Sequence, residues 1–237
     1  DDHGAHSSTY PHQTEYVFQN VFMPILNPGS VQEVLDLGLA GWAMSRFSGL
    51  WVAMKTTAET MEQASTAIVH ARRDWIVPDF PIPPHGLNID HGLKFPAERA
   101  ELERRTVDER LPAMLAWARA NRLDRIVSGA ADAPIGVVTV GKAHEDAMHA
   151  LRRMGIDRHP QLAVYKIALA WPLEAEGLRA FARGKRAILV IEEKRSFVES
   201  QIRDALYHLP ADERPDIAGK TMPGGEKLLT ELLELWP

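Results

Sequence analysis

The chain has 237 residues and a mass of 26.5 kDa, with 45% hydrophobic and 25% charged side chains. At roughly 150 residues per domain this is one to two domains with a sizeable core, and the composition excludes disorder, collagen and simple coiled coil. The formal net charge of −5 argues against nucleic acid as the main partner, and the absence of cysteine excludes disulfides, a thiol nucleophile, thiolate zinc and iron–sulfur ligation within these residues.

Residues 1–9 are polar, with Ala5 the one apolar side chain. Thr14 to Asn20 reads as a short helix and Val21 to Leu26 as a buried strand ended by Asn27-Pro28-Gly29. Ser30 with Glu33 forms a capping-box pattern, and Val31, Leu35, Leu39 and Trp42 keep a helical rhythm up to Gly49. Leu50 to Lys55 reads as a second strand, so strand, helix and strand make a parallel crossover. Pro78, Pro81, Pro83 and Pro84 predict an extended linker through residue 94. From Pro96 to Asn121 the pattern is charged and helical, with Pro112 predicting a kink or a division into two helices.

The remainder alternates. Strands are expected at Ile135–Val140, Leu162–Ala168, Ala187–Ile191 and Asp216–Lys220. Helices are expected at Lys142–Met154, Pro172–Arg183, Ser196–Leu209 (opened by a second capping box of Ser196 and Glu199) and Gly225–Trp236. Such alternation indicates an α/β fold, a parallel sheet covered by helices on both faces. Ligands gather at the carboxyl ends of such strands, here Gly141-Lys142, Ala168 to Trp171 and Glu192-Glu193-Lys194. The organisation expected is 1–77, 78–132 (linker and helical segment) and 133–237.

Several motifs fail as catalytic sets. His144 and His149 are five apart, about 140° around a helix, whereas zinc ligands four apart lie about 40° apart. Gly141 lacks the further glycines of a dinucleotide or phosphate loop. Glu192 and Glu193 are neighbours that point to opposite strand faces; one is expected to meet Lys194 or Arg195 and the other to be exposed. His3, His6 and His12 share a polar loop that reads either as solvated surface or as active-site lining. No metal-ligand set and no catalytic residue is assigned.

Asp1-Asp2-His3-Gly4-Ala5-His6-Ser7-Ser8-Thr9-Tyr10-Pro11-His12-Gln13, together with Val31–Asp36, Gly41–Arg46 and Ser48–Lys55, resembles the pyrimidine domain of indolepyruvate ferredoxin oxidoreductases. Val138–Lys142, Trp171-Pro172-Leu173 and Val190–Glu193 resemble the next domain of the same family, which is similar to the transketolase C-terminal domain. The resemblance implies an incomplete thiamine pyrimidine-type domain over 1–77 and a transketolase C-terminal-like domain over 133–237. It implies an enzyme that oxidatively decarboxylates arylpyruvates to acyl-CoA with thiamine diphosphate, Mg and iron–sulfur clusters, passing electrons to ferredoxin. The family's pyrimidine-activating glutamate, its Gly-Asp-Gly…Asn motif and its cluster cysteines do not occur here, so an internal fragment, inactive and without bound cofactor when alone, is expected. His6, Ser7 and Ser8 are the residues expected to lie near cofactor or substrate. The remaining domains or subunits, ferredoxin and coenzyme A are the implied partners, with a homodimer left open, no nucleic acid, no membrane and a cytoplasmic location. A stand-alone binding or scaffolding protein that kept the fold without the chemistry is the alternative.

Overall fold

In a computed structural model, which describes residues 1–70, 73–94 and 96–236, two sheets share one strand path. The larger is built from β3 (Arg125–Ser128), β4 (Ile135–Val140), β5 (Leu162–Ile167), β7 (Ala187–Ile191) and β8 (Asp216–Ala218), in the order β3-β5-β4-β7-β8. β4 pairs in parallel with β5 and β7, and β7 with β8; β3 alone runs antiparallel, along the outer side of β5. The apolar runs of β4, β5 and β7 follow from this, because helices cover both faces. α7 (Ala175–Ala182) and α8 (Val198–Tyr207) bury Leu178, Phe181, Ile202 and Leu206 against Val138, Tyr165, Ile188 and Val190. α6 (Lys142–Arg153) lays Leu151 and Met148 on Val137 and Val164 of the other face. The expected parallel sheet covered by helices is the observed architecture.

β5 bends after Ala168 and continues as β6 (Leu169–Trp171), which belongs to the second sheet, β2-β1-β6. Asp124 holds the bend: its Oδ1 accepts from the N–H groups of Ala168 at 2.7 Å and Leu169 at 3.0 Å. β1 (Ile25–Leu26) pairs in parallel with β2 (Ala53–Met54) across α2 (Val31–Ser48), as the crossover pattern predicts. Both strands are two residues long rather than six, since Pro24 has no N–H to offer and β2 is an edge with Trp51 in solvent. α2 and α5 (Leu111–Ala120) close this sheet over Leu26, Leu37, Met44, Met114, Trp117 and Leu169.

The α2 cap differs from the expected box in one detail. Ser30 Oγ accepts from Glu33 N–H at 3.3 Å, but the Glu33 carboxylate reaches Gly29 N–H, at 2.8 Å, and not that of Ser30. At the other end Gly49 takes φ +71° and packs on the Leu87 carbonyl, where a Cβ would lie 2.1 Å from the oxygen. α1 (Glu15–Asn20) and α3 (Ala58–Met61) are single short helices.

Residues 78–94 carry neither helix nor strand, and two side-chain amides pin the chain just ahead of them. Gln32 exchanges hydrogen bonds with both backbone groups of Ile68, and Asn121 with both of Ile76, each standing in for a strand partner. α4 (Arg99–Arg105) runs into one π turn, Thr106–Arg110, and then α5. Pro112 cannot donate to a carbonyl one turn back, and the widened turn just ahead of it accommodates the ring without ending the helix. β3 and the continuation of β5 into β6 went unforeseen, and Gly225–Trp236 is not a helix. Gly224 and Gly225 (φ +92°) turn the chain instead, and Lys220, Lys142 and Glu193 take backbone groups a helix would have used internally.

Candidate functional site

The carboxyl ends of β1, β2, β4 and β7 converge, and polar side chains fill the space between them. Asn27 follows β1, Lys55 and Thr57 follow β2, Lys142 follows β4, and Glu192, Glu193 and Lys194 follow β7. His3 and Glu15 close the top. All of these but Lys142 are buried.

Each of these lysines and carboxylates has a partner within the chain. Lys55 Nζ contacts Glu15 Oε1 and lies 3.2 Å from Asp1 Oδ2. Burial works to raise the Glu15 pKa, but the ammonium of Lys55 outweighs it and holds the carboxyl below its ordinary value. His3 lies 3.6 Å from Asp1 Oδ2, and burial first, then the charge of Lys55, lowers its pKa to about 3, so the ring is neutral at pH 7. Lys194, in the left-handed region at φ +57°, donates to the His3 carbonyl at 3.1 Å.

Glu192 and Glu193 contradict their expected roles, since both are buried. The Glu192 carboxylate accepts the N–H groups of Phe197 (3.2 Å), Val198 (2.7 Å) and Glu199 (2.9 Å), the opening turn of α8. It replaces the expected Ser196–Glu199 capping box; the Glu199 side chain pairs with Arg203 and accepts from Lys220 N–H instead. Burial raises the Glu192 pKa to about 7 despite those donors. Glu193 accepts from Leu235 N–H at 2.9 Å and from Lys142 Nζ at 3.4 Å, while Lys142 also meets Asp146 at 3.0 Å and donates to the Leu235 carbonyl.

His6, Ser7 and Ser8 sit on a loop at the rim of this region, with both serines exposed. A residue missed by the sequence reading organises them. Asp2, 4% exposed, accepts backbone N–H bonds from His6, Ser7 and Ser8 at 2.7, 2.8 and 2.7 Å, plus the Ser7 hydroxyl at 3.2 Å. Burial opposes ionisation, yet these donors hold the Asp2 pKa well below the carboxylate range. The loop is exposed on a fixed backbone, with the Ser7 hydroxyl on Asp2, the Ser8 hydroxyl on the Tyr10 carbonyl and the His6 ring beside Glu234. His12 lies against the Tyr10 carbonyl at 3.1 Å, with its Nε2 3.8 Å from Asp1 Oδ1. Of the other expected motifs, His144 is buried and bonded to the Thr139 hydroxyl at 2.8 Å, which gives it a packing role.

Beside the second sheet, a groove of about 670 Å³ runs between α2 and β2, floored by Leu37, Gly38 and Gly41 and flanked by exposed Trp42 and Trp51.

The 2-oxoglutarate:ferredoxin oxidoreductase of Magnetococcus marinus shares the fold with a TM-score of 0.54 at 14% identity, over 87% of this chain and 40% of that one. Residues 125–237 match the model of the indolepyruvate oxidoreductase domain family. Over most of its length the chain is similar to the indolepyruvate oxidoreductase subunit IorA. It is 26% identical to that of Methanothermobacter thermautotrophicus over 205 residues and 24% identical to that of Pyrococcus abyssi over 217. These alignments cover 85% and 86% of the chain, which spans about 31% of the length of either relative. Among the described residues no helix is long and apolar enough to cross a membrane.

Proposed function

We propose that these residues form part of an indolepyruvate ferredoxin oxidoreductase, which oxidatively decarboxylates arylpyruvates to acyl-CoA in the cytoplasm and delivers the electrons to ferredoxin. The observation that carries this reading is relationship to subunit IorA over 85% of the chain, on a fold shared with a 2-oxo-acid:ferredoxin oxidoreductase. Thiamine diphosphate, Mg and the iron–sulfur clusters belong to other segments or subunits. The residues present do not fit a diphosphate: the Gly141-Lys142 turn has its lysine spent on Asp146, Glu193 and the Leu235 carbonyl, and cysteine is absent.

What the chain supplies is a wall. The Asp2-organised loop holds His6, Ser7 and Ser8 at an exposed rim, where they are suited to contact a 2-oxo acid held by neighbouring domains. The groove flanked by Trp42 and Trp51 is suited to contact those domains or a second subunit, since large exposed apolar patches mark interaction sites. A stand-alone binding protein is the second reading, favoured by the internal pairing of Lys55, Glu192 and Glu193.

Calorimetric titration of thiamine diphosphate with Mg²⁺ into the 237-residue chain tests the assignment of the cofactor to other segments. No binding heat is expected. Tight, magnesium-dependent binding would place a diphosphate site within these residues and overturn it.

A further inference from the structure

Three side chains remote in sequence meet at the rim, where the sequence reading assigned no metal ligand. His6 comes from the Asp2-organised loop, Glu59 from α3 and Glu234 from the irregular segment after β8. One ligand atom from each lies within 4.8 Å of the others. His6 Nε2 is 3.2 Å from Glu234 Oε1 and 4.0 Å from Glu59 Oε1. Ligands on a tetrahedral ion with bonds of about 2.1 Å stand about 3.4 Å apart, so small rotations would seat an ion among these three.

A second observation points the same way. Glu234 is 5% exposed, and its Oε1 makes no hydrogen bond even though it faces the His6 ring. A buried acceptor without a donor is costly, and a cation would satisfy it. The surroundings are anionic. A cleft of about 590 Å³ adjoins the three residues and also carries Glu62, Asp146 and Lys142, with the Lys142 charge already matched by Asp146 and Glu193.

We propose that His6, Glu59 and Glu234 bind one divalent transition-metal cation, with zinc the best match to an imidazole and two carboxylates. The ion ties the segment after β8 to α3 and to the loop bearing Ser7 and Ser8. The inference rests on this geometry and not on the thiamine reading; either stands if the other fails.

Calorimetry with zinc chloride on the 237-residue chain, stripped with chelator beforehand, tests it. One equivalent is expected to bind, with His6→Ala and Glu234→Gln each weakening affinity at least about tenfold while circular dichroism stays unchanged. Glu59→Gln, at a partly exposed position, serves if Glu234→Gln fails to fold. Absence of binding up to about 1 mM zinc, or affinity that survives substitution of either His6 or the tested glutamate, overturns the site.

Discussion

Replacing Glu192 by alanine is expected to lower the unfolding free energy by about 4 kcal/mol at pH 7, measured by urea denaturation. Three backbone N–H groups at the start of α8 lose their acceptor together, in a position where Glu192 is 3% exposed. Each buried unsatisfied donor costs about 1–3 kcal/mol, and the cap of a helix that packs Val198, Ile202 and Leu206 into the main core is lost with them. Glu192→Gln separates charge from hydrogen bonding. The folded pKa of Glu192 is about 7 against an ordinary 4.5, so the folded state binds its proton more tightly. Between pH 4.5 and 7 the folded state therefore carries more protons, and the contribution of this group falls as pH rises, by about 3 kcal/mol in all. Relative to Glu192→Gln, the parent chain is thus expected to be more stable at pH 5 than at pH 8. An opposite slope would mean that the α8 donors and not burial dominate its titration.

Lys55→Met is expected to cost about 3–5 kcal/mol at pH 7 in the same assay, because it strips the counter-charge from two carboxylates at once. Asp1 and Glu15 both face Lys55 Nζ, and the Glu15 and Asp1 side chains are 5% and 0% exposed. An unpaired buried Glu15 would take up a proton more readily, so the penalty should shrink toward pH 4.5. The double variant Lys55→Met with Glu15→Leu recovers part of the loss, since replacing a buried pair by apolar side chains is far cheaper than breaking it. A cost under about 1 kcal/mol for the single change would show that water reaches this cluster.

Much of the fold was legible because β4 and β5 are buried on both faces and β7 is apolar throughout, which leaves unbroken apolar runs such as Ile135–Val140. α2 was legible for a different reason: Ser30, the apolar rhythm and Gly49 all agree about where it starts and stops. β3 was hidden because Arg125 and Val127 face solvent and its place is set by pairing with β5, a tertiary fact. The final segment misled because Leu228, Leu229, Leu232 and Leu233 imitate helical spacing, while its backbone groups are claimed by Lys220, Lys142 and Glu193 far away. At the rim, the polar loop stood out by its histidines. Asp2, Glu59 and Glu234 could not, because an acidic residue in a polar stretch carries no mark of the partners the fold brings to it.

The central claim is that this polypeptide contributes a shaped wall to an indolepyruvate oxidoreductase whose reagents lie elsewhere. Its most direct test is indolepyruvate-dependent reduction of ferredoxin, with coenzyme A, Mg²⁺ and thiamine diphosphate supplied. It would be measured on the 237-residue chain and on the assembled product of the gene that encodes it, with and without Ser7→Ala/Ser8→Ala. The account predicts no turnover by the chain, turnover by the assembled enzyme, and a raised KM for indolepyruvate in the variant. Turnover by the isolated chain, or an assembled enzyme that leaves indolepyruvate untouched, would contradict it.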